Sequence, residues 1–239
     1  MWPGRCEVTL GGLQPCTLVD YPGMVSCVVF VRGCNLHCPY CHNPDLIGAR
    51  NGGARLDIPA LEHFLDQRWG FLDAVVISGG EPTLWPSLET LCRRLKDREL
   101  AVKLDTNGTR PAILESLLAD GLVDYVAMDL KTDPQRYAPL LADQDPSADL
   151  MESIRLLTAV AKAYEFRTTC IAPLVDVATV GRLARLLAGA PLYALQAPQP
   201  GVRVLDPGFY QQPGRFFPPE VLADMQAEAG QWVERCILR

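Results

Sequence analysis

The sequence predicts an α/β protein of repeated strand–helix units around a parallel sheet, and three observations carry that reading. Six apolar, β-branched runs alternate with stretches of helical periodicity along the 239 residues, the pattern of βα units. Apolar residues make up 49% of the chain, which is ample for a core. Polar motifs directly follow four of the runs, where parallel α/β folds place their chemistry. Six units are two short of a closed eightfold barrel.

Strands are expected at residues 25–31, 74–78, 101–104, 123–130, 166–171 and 192–196, each a short run rich in β-branched, aliphatic or aromatic residues. Helical spacing of apolar residues marks 59–67, 87–96, 111–119, 148–164 and 179–187, with a last helix at 219–236. Residues 43–57, with Gly48, Asn51, Gly52 and Gly53, read as a loop. Residues 197–219 hold six prolines and three glycines, so little regular structure can persist there, and a loop of that length in a compact domain is often functional. The whole reads as one domain over 1–239, with a lead-in at 1–24 and a proline-rich loop and helix at 197–239.

Composition excludes several classes. A net charge of −6 without a dominant basic face argues against nucleic-acid binding, and Arg93, Arg94, Lys96 and Arg98 read as the solvated face of a helix. The start lacks a basic region followed by an apolar one, and no apolar run is long enough to cross a bilayer. Nine cysteines without a secretory signal point to a reducing cytosol, and so to a cytoplasmic protein.

Cys34-Asn-Leu-His-Cys38-Pro-Tyr-Cys41 packs three cysteines in the spacing C-x3-C-x2-C directly after the first strand. A structural zinc site wants four closed ligands, usually in two pairs, and a complete iron–sulfur cluster wants four thiolates. Three thiolates on a four-iron cluster leave one iron open, and an open metal position is a place for chemistry. A zinc ion completed by His37, His42 or a distant cysteine is the alternative, since imidazole is a good zinc ligand. That reading makes the chain a zinc-binding interaction module. Cys6, Cys16, Cys27, Cys92, Cys170 and Cys236 are scattered and read as small buried apolar residues.

The second strand leads into Ser78-Gly79-Gly80-Glu81-Pro82, either an ordinary strand-to-helix turn or a place where backbone approaches a ligand closely. The third leads into Asp105-Thr106-Asn107-Gly108, where Asn-Gly is a turn signal that leaves the carboxylate and hydroxyl unexplained. The fourth ends in Asp129-Leu130-Lys131. Alternation puts Asp129 and Lys131 on one face, and charged groups there are costly unless paired or bound to a ligand. A mutual salt bridge is the plain reading, and a ligand site is the functional one.

Residues 30–45, Phe-Val-Arg-Gly-Cys34 through Cys41-His42-Asn43-Pro44-Asp45, resemble the cluster loop of the radical S-adenosylmethionine superfamily. Cys41-His42-Asn43-Pro44 is similar to activating enzymes of glycyl radical proteins. The lead-in Thr17-Leu-Val-Asp-Tyr-Pro-Gly23 resembles the activating proteins of anaerobic ribonucleoside-triphosphate reductase. The matches run through about residue 131. The resemblance implies an open, partial (β/α)6 TIM-like barrel. It also implies a [4Fe-4S] cluster on Cys34, Cys38 and Cys41, with S-adenosyl-L-methionine on the open iron. Tyr40 then shields the cluster or faces adenine, with His42 beside it, and Gly79, Gly80 and Glu81 lie in the segment that receives the methionine amino group through backbone carbonyls. Asp105 and Thr106 help to hold the cofactor, in some relatives through a monovalent cation. Lys131 meets the cofactor carboxylate while Asp129 orients it or holds a cation, and Gln196 is the place for a late adenosine contact.

The implied activity is one-electron cleavage of S-adenosylmethionine, yielding a 5′-deoxyadenosyl radical that takes a hydrogen from a glycine of a partner protein. Flavodoxin or ferredoxin is the implied electron donor, and the large subunit of anaerobic ribonucleotide reductase is the implied partner. Residues 42–78 contain no cysteine, so the second-cluster insert of many such activases is not expected. Activation of another glycyl radical enzyme and a small-molecule enzyme such as 7-carboxy-7-deazaguanine synthase are the competing readings.

Overall fold

The computed structural model describes residues 8–48, 56–138 and 141–239. Cys6 and residues 49–55 of the loop expected at 43–57 lie outside them. Among the described residues eight strands form one sheet in chain order, β1 through β8, so the α/β class is as expected and two strands come in addition to the six expected. The chain divides into two compact units, Met1–Asn35 with Asp45–Thr106 and Ala112–Val126, and Leu36–Pro44 with Asn107–Pro111 and Ala127–Arg239.

In the first unit, β2 (Ser26–Val31), β3 (Ala74–Gly79) and β4 (Ala101–Thr106) pair in parallel, with Val28 opposite Val76, Phe30 opposite Ser78 and Ile77 opposite Leu104. Their continuous apolar runs suit strands covered on both faces. Tyr21, Val28, Ala74 and Val76 form a buried cluster, joined by Met24, Phe30, Ala101 and Tyr125. The unexpected strand is β1 (Leu10–Thr17), antiparallel to β2. Gly11, Gly12 and Pro15 mask its strand pattern, yet an edge strand with register shifts tolerates such residues.

A short α1 (Pro44–Ile47) follows the cysteine loop. Asp57 caps α2 (Ile58–Gln67), its Oδ1 accepting the Ala60 N–H at 2.7 Å. Helix α3 (Leu88–Lys96) buries Leu88, Leu91, Cys92 and Leu95 at helical spacing. Of the four cations expected on its solvated face, Arg93 and Arg94 are exposed, Lys96 is half-buried, and Arg98 is half-buried past the helix end. Arg93 pairs with Glu89 and Asp120, Arg94 with Glu62, Lys96 with Asp124, and Arg98 with Asp66. Helix α4 (Pro111–Ala119) follows β4.

Strand β5 (Tyr125–Asp129) carries the chain into the second unit. There β6 (Tyr164–Thr169), β7 (Tyr193–Gln196) and β8 (Cys236–Leu238) pair in parallel, with Phe166 opposite Tyr193 and Tyr193 opposite Cys236. Helix α5 (Ser147–Val160) stops four residues short of its expected end at 164, because Ala161 is already extended and Tyr164 enters the sheet. Helix α6 (Val177–Leu186) is capped by Asp176. The proline-rich segment contains only the short α7 (Pro207–Tyr210). The last helix, α8 (Pro219–Ala229), also falls short of the expected 219–236. Gly230 stands at its C-cap, and the chain beyond returns as β8. Among the described residues no helix is long and apolar enough to cross a membrane.

Candidate active site

The chemistry-bearing residues divide between the units, with Cys34, Gly79, Gly80, Glu81, Asp105 and Thr106 in the first and Cys38, Tyr40, Cys41, His42, Asp129, Lys131 and Gln196 in the second.

In the first unit, the chain leaving β2 is fixed by backbone bonds. Gly33 N–H donates to the Leu46 carbonyl at 2.6 Å and Cys34 N–H to the Ile47 carbonyl at 3.2 Å. The turn after β3 locks onto the same stretch, with Gly80 N–H on the Val31 carbonyl and Glu81 N–H on the Gly33 carbonyl at 2.7 Å. Both glycines are required by this contact. Gly79 has φ +109°, and a Cβ on Gly80 would lie 2.1 Å from the Gly33 oxygen. The close approach is therefore to the chain's own backbone, next to Cys34.

Glu81 is 1% exposed. Its Oε1 accepts from Thr83 N–H at 3.1 Å, Thr83 Oγ1 at 2.6 Å and Thr106 Oγ1 at 2.8 Å. It thus ties the end of β3 to the end of β4. Asp105 Oδ2 accepts from Ser78 Oγ at 2.9 Å and Oδ1 from Lys103 Nζ at 2.7 Å. Lys103, 2% exposed in mid-strand, went unnoticed in the sequence, although its period-2 relation to Asp105 was the available signal.

In the second unit, Cys38 and Tyr40 are buried while Cys41 is half-buried and His42 is exposed. Cys41 N–H donates to the Cys38 carbonyl at 3.0 Å, which makes a tight turn. The proline-rich segment grips that turn: Leu205 N–H donates to the Cys41 carbonyl at 3.1 Å and Asp206 N–H to the Pro39 carbonyl at 2.8 Å. The Tyr40 hydroxyl is buried without a hydrogen-bond partner. Burial pushes the Cys38 thiol up to about 11, against the pull of the Lys131 ammonium. Burial, then Lys131, lowers His42 below the usual imidazole range.

The Asp129 and Lys131 pair exists as the plain salt bridge, with Nζ to Oδ2 at 2.8 Å. The sequence did not reveal its third member, Arg167 on β6, whose Nε donates to Asp129 Oδ1 at 2.6 Å. Burial works against the Asp129 charge, but Arg167 and Lys131 outweigh it and hold the carboxyl well below the usual carboxylate range. The Lys131 N–H donates to the buried Tyr137 hydroxyl at 2.7 Å, which fixes the chain just past β5. Gln196 is half-buried at the end of β7, opposite Thr169, and its carbonyl accepts the Cys170 N–H.

None of Cys34, Cys38 and Cys41 is in a disulfide. As a donor set they fit a four-iron cluster, which asks one thiolate for each of three irons. Among the described residues no three His, Cys, Asp or Glu side chains gather around a single metal ion.

A three-cysteine loop follows a parallel strand, and polar motifs end the strands that come after it, the arrangement of an α/β enzyme. The family model described as the Radical SAM superfamily matches residues 28–183, and the chain belongs to that superfamily. A protein of Methanocaldococcus jannaschii, provisionally named a glycyl-radical enzyme activating enzyme, is 33% identical over 199 residues, 81% of each chain. The pyruvate formate-lyase-activating enzyme of Clostridium pasteurianum is 34% identical over 122 residues, 48% of each chain. Among solved structures, a radical SAM methyltransferase from Sphaerobacter thermophilus superposes with a TM-score of 0.67 at 18% identity, covering 92% of this chain and 67% of that one, which shows the shared fold. The chain is thus an enzyme of the glycyl-radical activating family. The cofactors of the superfamily are a [4Fe-4S] cluster and S-adenosylmethionine.

Proposed function

We propose that this chain binds a [4Fe-4S] cluster through Cys34, Cys38 and Cys41 and S-adenosylmethionine beside it, and that it generates a glycyl radical on anaerobic ribonucleoside-triphosphate reductase. The observation that carries this is the run of residues 34–41, with a cysteine outside any disulfide at all three ligand positions and Cys38 buried beside the Lys131 charge. When bound, the cluster and cofactor supply a one-electron reductive cleavage of the sulfonium, the source of the hydrogen-abstracting species.

The protein's part is orientation and exclusion of side reactions. Cys38 and Tyr40 are the buried side of the ligand loop. Lys131 and Arg167 both contact the carboxylate of Asp129, and Lys131 is assigned the carboxylate of the methionine moiety. The turn at Gly79 and Gly80 presents backbone for the amino group, and Gln196 is assigned the late adenosine contact. Flavodoxin or ferredoxin is assigned as electron donor.

Two features support the reductase as partner. One is the lead-in at residues 17–23, and the other is the lack of any cysteine between Cys41 and Cys92. The lead-in is anchored by buried Tyr21, whose ring lies 5.7 Å from that of Tyr125, and by Thr17 Oγ1 donating to Asp20 at 2.6 Å.

The test is anaerobic electron paramagnetic resonance of the reconstituted, reduced protein with S-adenosylmethionine and the reductase large subunit. A glycyl radical doublet on the reductase is expected. Accumulation of 5′-deoxyadenosine without the doublet keeps the radical chemistry and rejects this partner.

A further inference from the structure

The resemblance assigns a monovalent cation to Asp105 or Asp129, and the residues around these carboxylates do not fit one. Lys103 sits two residues before Asp105 on the same face of β4, among apolar neighbours and only 2% exposed. Lysine is almost never buried that deeply unless its charge is paired. Its ammonium donates to Asp105 Oδ1 at 2.7 Å and lies 5.8 Å from the Tyr125 ring centroid, while Ser78 takes Oδ2. In the second unit, Lys131 and Arg167 occupy the two oxygens of Asp129 in the same way. A potassium or sodium ion on either carboxylate would meet a protein cation at close range, where repulsion between like charges is strong.

We propose that Lys103 is a built-in counter-ion for Asp105, a positioning residue that takes the role of a bound monovalent cation. The chain then binds S-adenosylmethionine without potassium or sodium. The proposal rests on the reading that the chain binds this cofactor.

Two measurements test it, each in choline, sodium and potassium chloride at equal ionic strength. One is thermal melting, and the other is equilibrium dialysis of S-adenosylmethionine against the anaerobically reconstituted holoprotein. Equal ionic strength holds general screening constant, so the wild type is expected to melt within about 1 °C and bind within about twofold in all three salts. Lys103→Met removes the ammonium from the half-buried Asp105 carboxylate and is expected to melt about 10 °C lower in choline, with part of the loss restored by potassium or sodium. A wild type whose affinity falls about tenfold in choline, a factor that screening cannot supply at matched ionic strength, overturns the proposal. A Lys103→Met protein as stable as wild type in every salt overturns it as well. Should Lys103→Met fail to fold, the wild-type comparison decides alone. A wild type whose melting ignores the cation but which binds no cofactor in any salt refutes the functional reading and leaves the counter-ion assignment standing.

Discussion

A single oxygen, Glu81 Oε1, gathers three donors in a position that is 1% exposed. A buried carboxylate is tolerated at that depth only because it is hydrogen-bonded. The consequence is a rigid turn at Gly79 and Gly80, held against the backbone that leads into Cys34. Gly80→Ala tests that rigidity. The added Cβ would stand 2.1 Å from the Gly33 carbonyl oxygen, a backbone atom that cannot rotate away. Overpacking of this kind costs about 1–3 kcal/mol. Urea unfolding should show the loss in midpoint with an unchanged slope, and the mutant should also incorporate less iron. A protein with wild-type stability and iron content would show that the backbone contact is loose. At this scale the sequence was informative where chemistry is contiguous. The cysteine spacing, the glycine pair and the Asp129 and Lys131 pair are each readable from neighbouring residues. Arg167 was not, because 38 residues separate it from Asp129 and nothing local in Phe-Arg-Thr-Thr announces a distant partner.

Elements were legible wherever side-chain periodicity and chain punctuation agreed. The strands β2 through β7 are apolar runs bounded by turn residues, and all of them form. The two missed strands fail for opposite reasons. β1 contains the residues that normally interrupt strands, and only its edge position makes them acceptable. β8 is three residues long and takes its conformation from pairing with β7, so tertiary contact overrides local preference. Caps were the missing punctuation at the helix ends, and they have measurable consequences. Asp176 Oδ1 accepts Thr179 N–H at 2.7 Å and Thr179 Oγ1 at 2.6 Å, opening α6. Asp176→Ala should destabilise the protein by about 1 kcal/mol, the usual worth of an N-cap. The hydrogen bond from Thr179 holds the Asp176 carboxyl below its ordinary value. A depressed acid stabilises the fold above its unfolded pKa, near 3.9, and loses that effect as the pH falls through the folded value. The gap in melting temperature between mutant and wild type should therefore be full at neutral pH and narrow below about pH 4. A gap that persists or widens in acid would mean the cap does not act through its charge.

For the whole molecule, activating a protein rather than a small compound requires that docking leave the cofactor chemistry intact. The segment 197–219 of the second unit joins backbone bonds to the cysteine loop with an exposed aromatic ring. Leu205 and Asp206 bond to the carbonyls of Cys41 and Pro39. Phe216, 37% exposed, packs edge-on against Tyr210 with centroids 5.0 Å apart. The bonds to the ligand loop come from backbone, so they survive changes of side chain. The aromatic surface survives only if its ring does. Aromatic anchors commonly dominate protein interfaces, each contributing about 2 kcal/mol or more when truncated. Phe216→Ala should accordingly lower the rate of glycyl radical formation on the partner by about tenfold or more. Cleavage of S-adenosylmethionine measured without the partner should change by less than about twofold, since the truncated ring lies outside the ligand set. Parallel loss of both activities would place Phe216 in support of the cysteine loop rather than at a docking edge. Replacing Phe217 as well should deepen the defect in partner activation without adding a defect in uncoupled cleavage.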